Sequence, residues 1–112
     1  MLFRSFEVGC QALEARDHAA AATAFEAARR DQGENPKLLF LLGNSYLGCG
    51  RAEAALEVLK AASARERNHP AIASSLAQAL FDLGRFAEAE VSFRKSVRLD
   101  SKSPFEIGRA HV

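Results

Sequence analysis

Residues 36–69, which read PKLLFLLGNSYLGCGRAEAALEVLKAASARERNH, decide the fold because the rest of the chain repeats them. The three prolines of the chain, Pro36, Pro70 and Pro104, are 34 residues apart in both steps (36 to 70 and 70 to 104). A fixed period between about 20 and 50 residues is typical of proteins that stack copies of one supersecondary unit. The spacing therefore predicts a repeat architecture over most of the sequence.

Other residues recur at the same interval, so the proline spacing is not a coincidence of composition. Small and large apolar residues fall into six aligned sets: Val8, Leu42 and Leu76; Gly9, Gly43 and Ala77; Ala12, Tyr46 and Leu80; Ala21, Ala55 and Ala89; Phe25, Leu59 and Phe93; Ala28, Ala62 and Ser96. Small residues are needed where two helix backbones approach closely, and large residues fill the wider gaps. The sets predict helices that pack in the same way in each copy.

This pattern resembles the tetratricopeptide repeat family, whose unit is a pair of helices of about 34 residues. The central copy carries the resemblance on Leu42-Gly43, Tyr46, Ala55, Leu59 and Ala62. Two features depart from the family pattern. The aromatic residue that the family often has early in its first helix is replaced by Ser5, Leu39 and Ala73. The family also often has a proline at the end of its second helix. Here the prolines Pro36, Pro70 and Pro104 stand instead at the start of the next copy.

The resemblance covers residues 2–103 and implies an all-α fold, a right-handed α-solenoid of three helix-turn-helix repeats with six helices. We expect repeat 1 at residues 2–35, repeat 2 at 36–69 and repeat 3 at 70–103, with a truncated fourth repeat beginning at 104–112. The six helices are expected at about residues 3–15, 19–31, 36–49, 52–66, 70–83 and 86–99.

Local signals predict where these helices begin and end. Asp17 and Asn35 are favoured N-cap residues, and Pro36 follows at the first helical position, where its missing N–H costs nothing. Gly50 and Gly84 suit the left-handed conformation that closes a helix. In the second helix we expect Ala21, Phe25 and Ala28 to be buried, and Glu26, Arg29 and Arg30 to be exposed.

The last seven residues, Glu106 to Val112, need a separate interpretation. Their sequence, EIGRAHV, is what a widely used sequencing adapter encodes in one reading frame. We therefore interpret them as a translated adapter, with Glu106 partly so, and exclude them from functional reasoning. In this interpretation the natural protein continues beyond Phe105. The alternative is a genuine short tail, in which Ser103 and Glu106 would form a capping box.

Composition excludes several classes of function. The chain has 112 residues, enough for one domain, and a net charge of +1, which gives no electrostatic footprint for nucleic acid. The longest apolar run, residues 38–42, is far too short to span a membrane, and the first residues lack a signal-peptide core. We expect a cytoplasmic protein that contacts neither nucleic acid nor membrane.

The residues that carry chemistry in other proteins are scattered here. Cys10 and Cys49 have neither metal-ligand nor redox spacing, and His18, His69 and His111 are single. We interpret the cysteines as small buried apolar residues, and His18 and His69 as solvated turn residues. We therefore predict no catalytic residues, no metal site and no cofactor.

In this family the first helix of each repeat lines an extended concave surface that holds a peptide or a helix of a partner. The matching positions, spaced i, i+4 and i+7 on one face of each first helix, are Phe6, Cys10 and Leu13; Phe40, Asn44 and Leu47; and Ser74, Gln78 and Phe81. We predict that these nine residues bind a peptide, with the amides of Asn44 and Gln78 on its backbone and the rings of Phe40 and Phe81 as anchors. The alternative for each apolar position is packing between neighbouring first helices.

The residues on these faces argue against one activity of the family. Tetratricopeptide co-chaperones grip the carboxylate of heat-shock proteins with a basic and amide clamp on these faces. Here only Asn44 matches that clamp, and Phe6, Cys10, Ala71 and Ser75 occupy the other places. We therefore predict no binding of such a carboxylate.

The favoured hypothesis is a non-catalytic protein–protein interaction scaffold with a peptide or helix of a partner in the groove. The alternative is the amino-terminal repeat array of a larger enzyme, of sulfotransferase, glycosyltransferase or kinase type, with its catalytic domain beyond Phe105. A weaker third interpretation is a small secretion-type chaperone. The sixth helix is expected to leave Phe86, Phe93 and Val97 uncovered, which predicts self-association through the uncapped carboxyl-terminal end.

Overall fold

The computed structural model describes residues 4–100, which form six α-helices and no strands. The helices are α1 (Arg4–Glu14), α2 (His18–Gln32), α3 (Pro36–Gly48), α4 (Ala52–Arg65), α5 (Pro70–Asp82) and α6 (Phe86–Asp100). The six-helix prediction is confirmed, and the observed helix ends lie within one residue of those predicted. The expected start of a fourth repeat and the adapter-like segment lie outside the described residues.

Side-chain caps and glycines set the helix ends. Asp17 Oδ1 accepts a hydrogen bond from the Ala20 N–H at 3.1 Å, and Asn35 Oδ1 accepts from Lys37 N–H at 2.9 Å. Gly50 and Gly84 have φ angles of 80° and 78°, in the left-handed region that favours glycine. These four predicted signals are confirmed.

Each helix packs chiefly on its neighbours in the sequence. The closest packing lies within the pairs α1 with α2, α3 with α4, and α5 with α6, followed by α2 with α3 and α4 with α5. The helix α3 also contacts α5, which brings successive first helices side by side. The described part of the chain extends over 51 × 31 × 26 Å, an elongated shape that follows from this sequential stacking.

The core runs along the junction between first and second helices. Phe25 and Leu59, which occupy the same position of the repeat, are completely buried. So are Ala21 and Ala55, which share the position four residues earlier. Gly9 makes room for Phe25, because a Cβ atom at Gly9 would lie 2.6 Å from Phe25 Cε1. The same sequence positions thus form the same contacts in the first two helix pairs, as their alignment predicts, whereas Phe93 in the third pair is 37% exposed.

Several polar residues are placed differently from the prediction, among them Arg29, which was expected to be exposed and is half-buried beside Glu34. His18 is not a solvated turn residue: it begins α2, its Nδ1 atom is buried, and its ring lies where a side chain at Gly48 would stand. His69 is the N-cap of α5, and its Nδ1 accepts a hydrogen bond from the Ile72 N–H at 3.3 Å. Glu26, expected to be exposed, is half-buried because it accepts a hydrogen bond from Tyr46 on α3.

Candidate peptide-binding surface

The nine predicted site residues lie on the three first helices, and their exposure changes along the chain. Those on α1 and α3 are half-buried, and five of them pack against the core: Phe6, Cys10, Leu13, Phe40 and Leu47. Those on α5, which are Ser74, Gln78 and Phe81, are exposed. Packing between helices therefore takes up part of the predicted surface on α1 and α3, while α5 leaves its three residues open to a ligand.

At the amino-terminal end, Phe6 serves chiefly the core. Its ring meets the buried ring of Phe25 edge to face, with 5.7 Å between the ring centroids. This geometry is favoured for aromatic pairs and fixes the Phe6 side chain against α2. Only the remaining exposed part of Phe6 is available to a ligand.

In the centre of the surface, two contacts join α3 directly to α5. The Ser75 hydroxyl donates a hydrogen bond to Asn44 Oδ1 at 2.8 Å. The ring of Phe40 lies beside that of His69, with 6.0 Å between centroids. Sequence reasoning missed both contacts, because the partners are about 30 residues apart and do not occupy equivalent positions of the 34-residue period.

Each of the two amide side chains has one of its two polar groups engaged by a neighbour and the other without a partner among the described residues. The oxygen of Asn44 is used by Ser75, so its NH₂ group is the remaining donor. The NH₂ group of Gln78 donates to Asp82 Oδ1 at 2.8 Å, so its oxygen is the remaining acceptor. Within residues 4–100, neither remaining group has a hydrogen-bond partner. The two amides therefore differ in what they offer to a ligand.

The helix that carries Phe40 and Asn44 is fixed to α2 through Tyr46. The Tyr46 hydroxyl donates a hydrogen bond to the Glu26 carboxylate, and the Arg51 guanidinium lies 4.5 Å from the centre of the tyrosine ring. Burial, and then the hydrogen bond to Glu26, raise the pKa of Tyr46 to about 12. The phenol therefore stays protonated at neutral pH and joins the first two helix pairs.

Phe81 lies at a second apolar surface, at the carboxyl-terminal end of the described chain. Its ring meets that of Phe86 on α6 edge to face, with 5.1 Å between centroids. An open cavity of about 610 Å³ begins there, and we call its lining the α6 surface: Phe81, Phe86, Ala89, Glu90, Phe93, Arg94, Val97 and Arg98. Phe86 is 60% exposed and Val97 67%, which confirms the expectation that α6 leaves them uncovered. That Phe81 belongs to this surface was not foreseen.

Two further properties of residues 4–100 concern metal ions and membranes. No group of three or more His, Cys, Asp or Glu side chains within residues 4–100 is arranged to hold a metal ion. None of the six helices has the length and apolar character needed to cross a membrane.

Comparison with known proteins agrees with the repeat geometry. A family model described as tetratricopeptide repeat matches residues 12–79 and residues 50–104. The chain belongs to the tetratricopeptide repeat family. The all-α solenoid predicted for it is thereby confirmed. No curated protein matches the sequence significantly.

Solved structures of similar fold come from several tetratricopeptide repeat proteins. MamA from MSR-1 has a TM-score of 0.84 and 20% identity, over 92% of this chain and 59% of the MamA chain. The type III secretion translocator chaperone SycD of Yersinia enterocolitica has a TM-score of 0.82 and 16% identity, over 98% of this chain and 83% of the SycD chain. The first TPR domain of human RPAP3 has a TM-score of 0.80 and 19% identity, over 98% of this chain and 86% of the RPAP3 domain chain. This chain thus spans less than two thirds of MamA.

Proposed function

We propose that this tetratricopeptide repeat chain is a non-catalytic interaction scaffold that binds an extended peptide of a partner protein along its first helices. The observation that carries the proposal is the pair of amides on α3 and α5. Asn44 keeps a free donor because Ser75 occupies its oxygen, and Gln78 keeps a free acceptor because Asp82 holds its NH₂ group. A peptide backbone offers the complementary acceptor and donor at every residue.

The rest of the surface favours a neutral, partly apolar peptide. None of the nine residues carries a formal charge. Phe40 and Leu47 are half-buried against the core, which holds their side chains in place before a ligand arrives. Rigid apolar groups of this kind supply binding energy at low entropic cost, while backbone hydrogen bonds fix the direction of the peptide. A free carboxylate would find no cation among the nine.

Relatives of similar fold support a polypeptide partner. SycD is a translocator chaperone, and the matched portion of RPAP3 is a TPR domain. At identities of 16% and 19%, these structures do not identify the partner of this chain, which has to be found by experiment. The alternative, an array that precedes a catalytic domain, stays a prediction that the reading frame downstream of Phe105 will decide.

The test selects peptides from a random displayed library on the immobilised full chain and measures their affinity by fluorescence anisotropy. We expect Gln78→Ala to weaken binding about 3- to 10-fold, as for the loss of one hydrogen bond. Phe40→Ala should weaken it more than about 10-fold. Gln11→Ala, an exposed glutamine of α1 outside the nine, is the matched control and should leave affinity unchanged.

Circular dichroism of each variant separates loss of binding from loss of folding. If Gln78→Ala and Phe40→Ala both fold and bind as tightly as the unchanged chain, the peptide site lies elsewhere and the proposal fails.

A further inference from the structure

His69 stands where α3 meets the start of α5, and it is the N-cap of α5. Its Nδ1 atom accepts a hydrogen bond from the Ile72 N–H at 3.3 Å, and its ring centroid lies 6.0 Å from that of Phe40. Ile72 is only 2% exposed, so water has little access to the residue whose N–H is bound. One side chain therefore both caps α5 and contacts an aromatic residue of the peptide surface.

The equivalent residue one repeat earlier is Asn35, which caps α3 through its side-chain oxygen. An amide oxygen accepts hydrogen bonds at any pH, whereas a histidine nitrogen accepts one only while it carries no proton. Histidine side chains change charge between about pH 5 and 8. The cap of α5 is therefore sensitive to pH in a range where the cap of α3 is not.

Protonation of His69 removes the cap and adds a charge in an unfavourable place. Both ring nitrogens of a charged imidazole carry hydrogen, so Nδ1 and the Ile72 N–H would meet as two donors. The amino-terminal end of a helix also repels a cation, because its unpaired N–H groups bear partial positive charge. The stabilisation from the cap is thus complete while the ring is neutral and is lost as the pH falls.

The charges around this junction do not offset that loss. Within residues 4–100, no carboxylate forms an ion pair with His69. The Ser96 hydroxyl of α6 donates to the Pro70 carbonyl at 3.0 Å, so that part of α6 lies beside the start of α5. Cations outnumber carboxylates among the charged residues that the surrounding elements carry near the junction: Lys37 on α3; Arg65 on α4, paired with Glu34; Glu66 and Arg67 in the connection; and Lys95, Arg98 and Asp100 on α6.

We propose that His69 is a pH-sensitive switch between α3 and α5. Protonation of its ring releases the Ile72 N–H, frees the first turn of α5, and thereby weakens peptide binding across the two helices. The last step rests on the proposed function, in which Phe40 and Asn44 on α3 and Gln78 on α5 bind the peptide. The first two steps do not depend on it.

The first test needs no peptide and compares the full chain with His69→Asn and His69→Ala. Asparagine keeps a cap that does not titrate, as Asn35 does on α3, and alanine removes the cap at every pH. Urea unfolding at about pH 7.5 and 5.5 gives the unfolding equilibrium constant. Acid should raise this constant about fivefold more in the unchanged chain than in either variant. At the higher pH, His69→Ala should already be about fivefold less stable than His69→Asn.

The comparison isolates His69, because His18 and every other titrating group are the same in all three chains. Amide hydrogen exchange read by NMR then locates the effect in the chain. Acid should lower the protection factor of the Ile72 N–H about fivefold in the unchanged chain and leave it constant in His69→Asn. The Leu38 N–H, which Asn35 binds at 3.3 Å, is the internal control and should keep its protection factor in both chains.

The second test repeats the anisotropy measurement at the same two pH values, with a selected peptide that contains no His, Asp or Glu. Acid should raise the dissociation constant about 3- to 10-fold for the unchanged chain, as for the loss of one cap. For His69→Asn the change should be less than about twofold.

The two tests fail separately. If acid destabilises His69→Asn as much as the unchanged chain, or leaves the Ile72 protection factor constant, there is no switch at His69, whether or not a peptide binds. If the switch is present but both chains lose affinity alike, the coupling to the peptide surface is wrong. If no peptide is selected at any pH, the proposed function fails together with that coupling, and the stability comparison still decides the switch.

Discussion

Gly43 on α3 and Leu59 on α4 fit so closely that a Cβ atom at position 43 would lie 2.5 Å from Leu59 Cγ. Leu59 is completely buried, and the contact falls at its branch point rather than at a flexible tip. The glycine is in a helix with ordinary backbone angles, so packing alone requires it. The same relation holds between Gly9 and the ring of Phe25.

We expect Gly43→Ala to destabilise the protein by about 1–3 kcal/mol, the usual cost of an overpacked core. Alanine gains about 1 kcal/mol over glycine in helix propensity, so this net loss would show that the clash dominates. Urea unfolding followed by circular dichroism measures the change. In a Leu59→Ala background the same substitution should cost much less, because the clashing atoms are gone. Equal costs in both backgrounds would contradict the contact.

Stability should fall at high pH because of Tyr46. The pKa of Tyr46 rises from its ordinary value of 10.0 to about 12 in the folded protein, chiefly through burial and then through the Glu26 carboxylate. A pKa raised by folding means that the folded state holds the proton more tightly. Its contribution to stability is complete below pH 10 and is lost as the pH rises from 10 to 12. Unfolding curves at a series of pH values measure the decline.

Tyr46 is the only tyrosine of the chain, and there is no tryptophan, so its ionisation is visible directly in near-ultraviolet absorbance. The folded protein should show a tyrosinate transition near pH 12, and the unfolded protein one near 10. Tyr46→Phe is the control for other groups that titrate in this range, and its stability should vary less with pH. An unshifted tyrosine transition in the folded protein would refute the account.

Asn35→Ala should destabilise the protein by about 1 kcal/mol, the usual cost of losing an N-cap. Asn35 Oδ1 accepts hydrogen bonds from the Lys37 and Leu38 N–H groups, at 2.9 and 3.3 Å. Asn68→Ala is the matched control, because Asn68 is exposed in the next connection, where His69 supplies the cap. Thermal unfolding compares the two. A loss of equal size at both positions would show that the cap is not responsible.

The hydrogen bond between Ser75 and Asn44 should contribute about 0.5–1.5 kcal/mol to stability. We expect Ser75→Ala and Asn44→Ala each to destabilise the chain, and the double variant to cost less than the sum of the two. The double-mutant cycle, measured by urea unfolding, gives the coupling energy between α3 and α5. Strict additivity would mean that the two side chains do not interact in solution.

How far the sequence predicts this protein depends on the range of the interactions involved. Helix ends were predictable because caps and left-handed glycines act within a few residues, as at Asn35 and Gly50. The buried sets were predictable because Phe25 and Leu59 recur in register. The placement of Glu26 was not, since it depends on Tyr46, 20 residues away on another helix.

The candidate site was predictable only as a set of positions. The i, i+4, i+7 spacing identifies one face of each first helix, but it does not say how much of that face a neighbour covers. Phe6 turned out to pack on Phe25, and Phe81 turned out to line the α6 surface. The sequence likewise does not show which polar group of the Asn44 and Gln78 side chains is already hydrogen-bonded. That depends on the neighbours Ser75 and Asp82.

The sequence by itself determined the number of helices, their ends, and the apolar positions that recur every 34 residues. Those properties follow from local hydrogen bonding and from periodicity along a single helix. Only the tertiary structure decided which parts of that pattern remain open to a partner. Exposure depends on how closely separate helices pack against one another, and this packing leaves Phe40 half-buried on α3 and Phe81 exposed on α5.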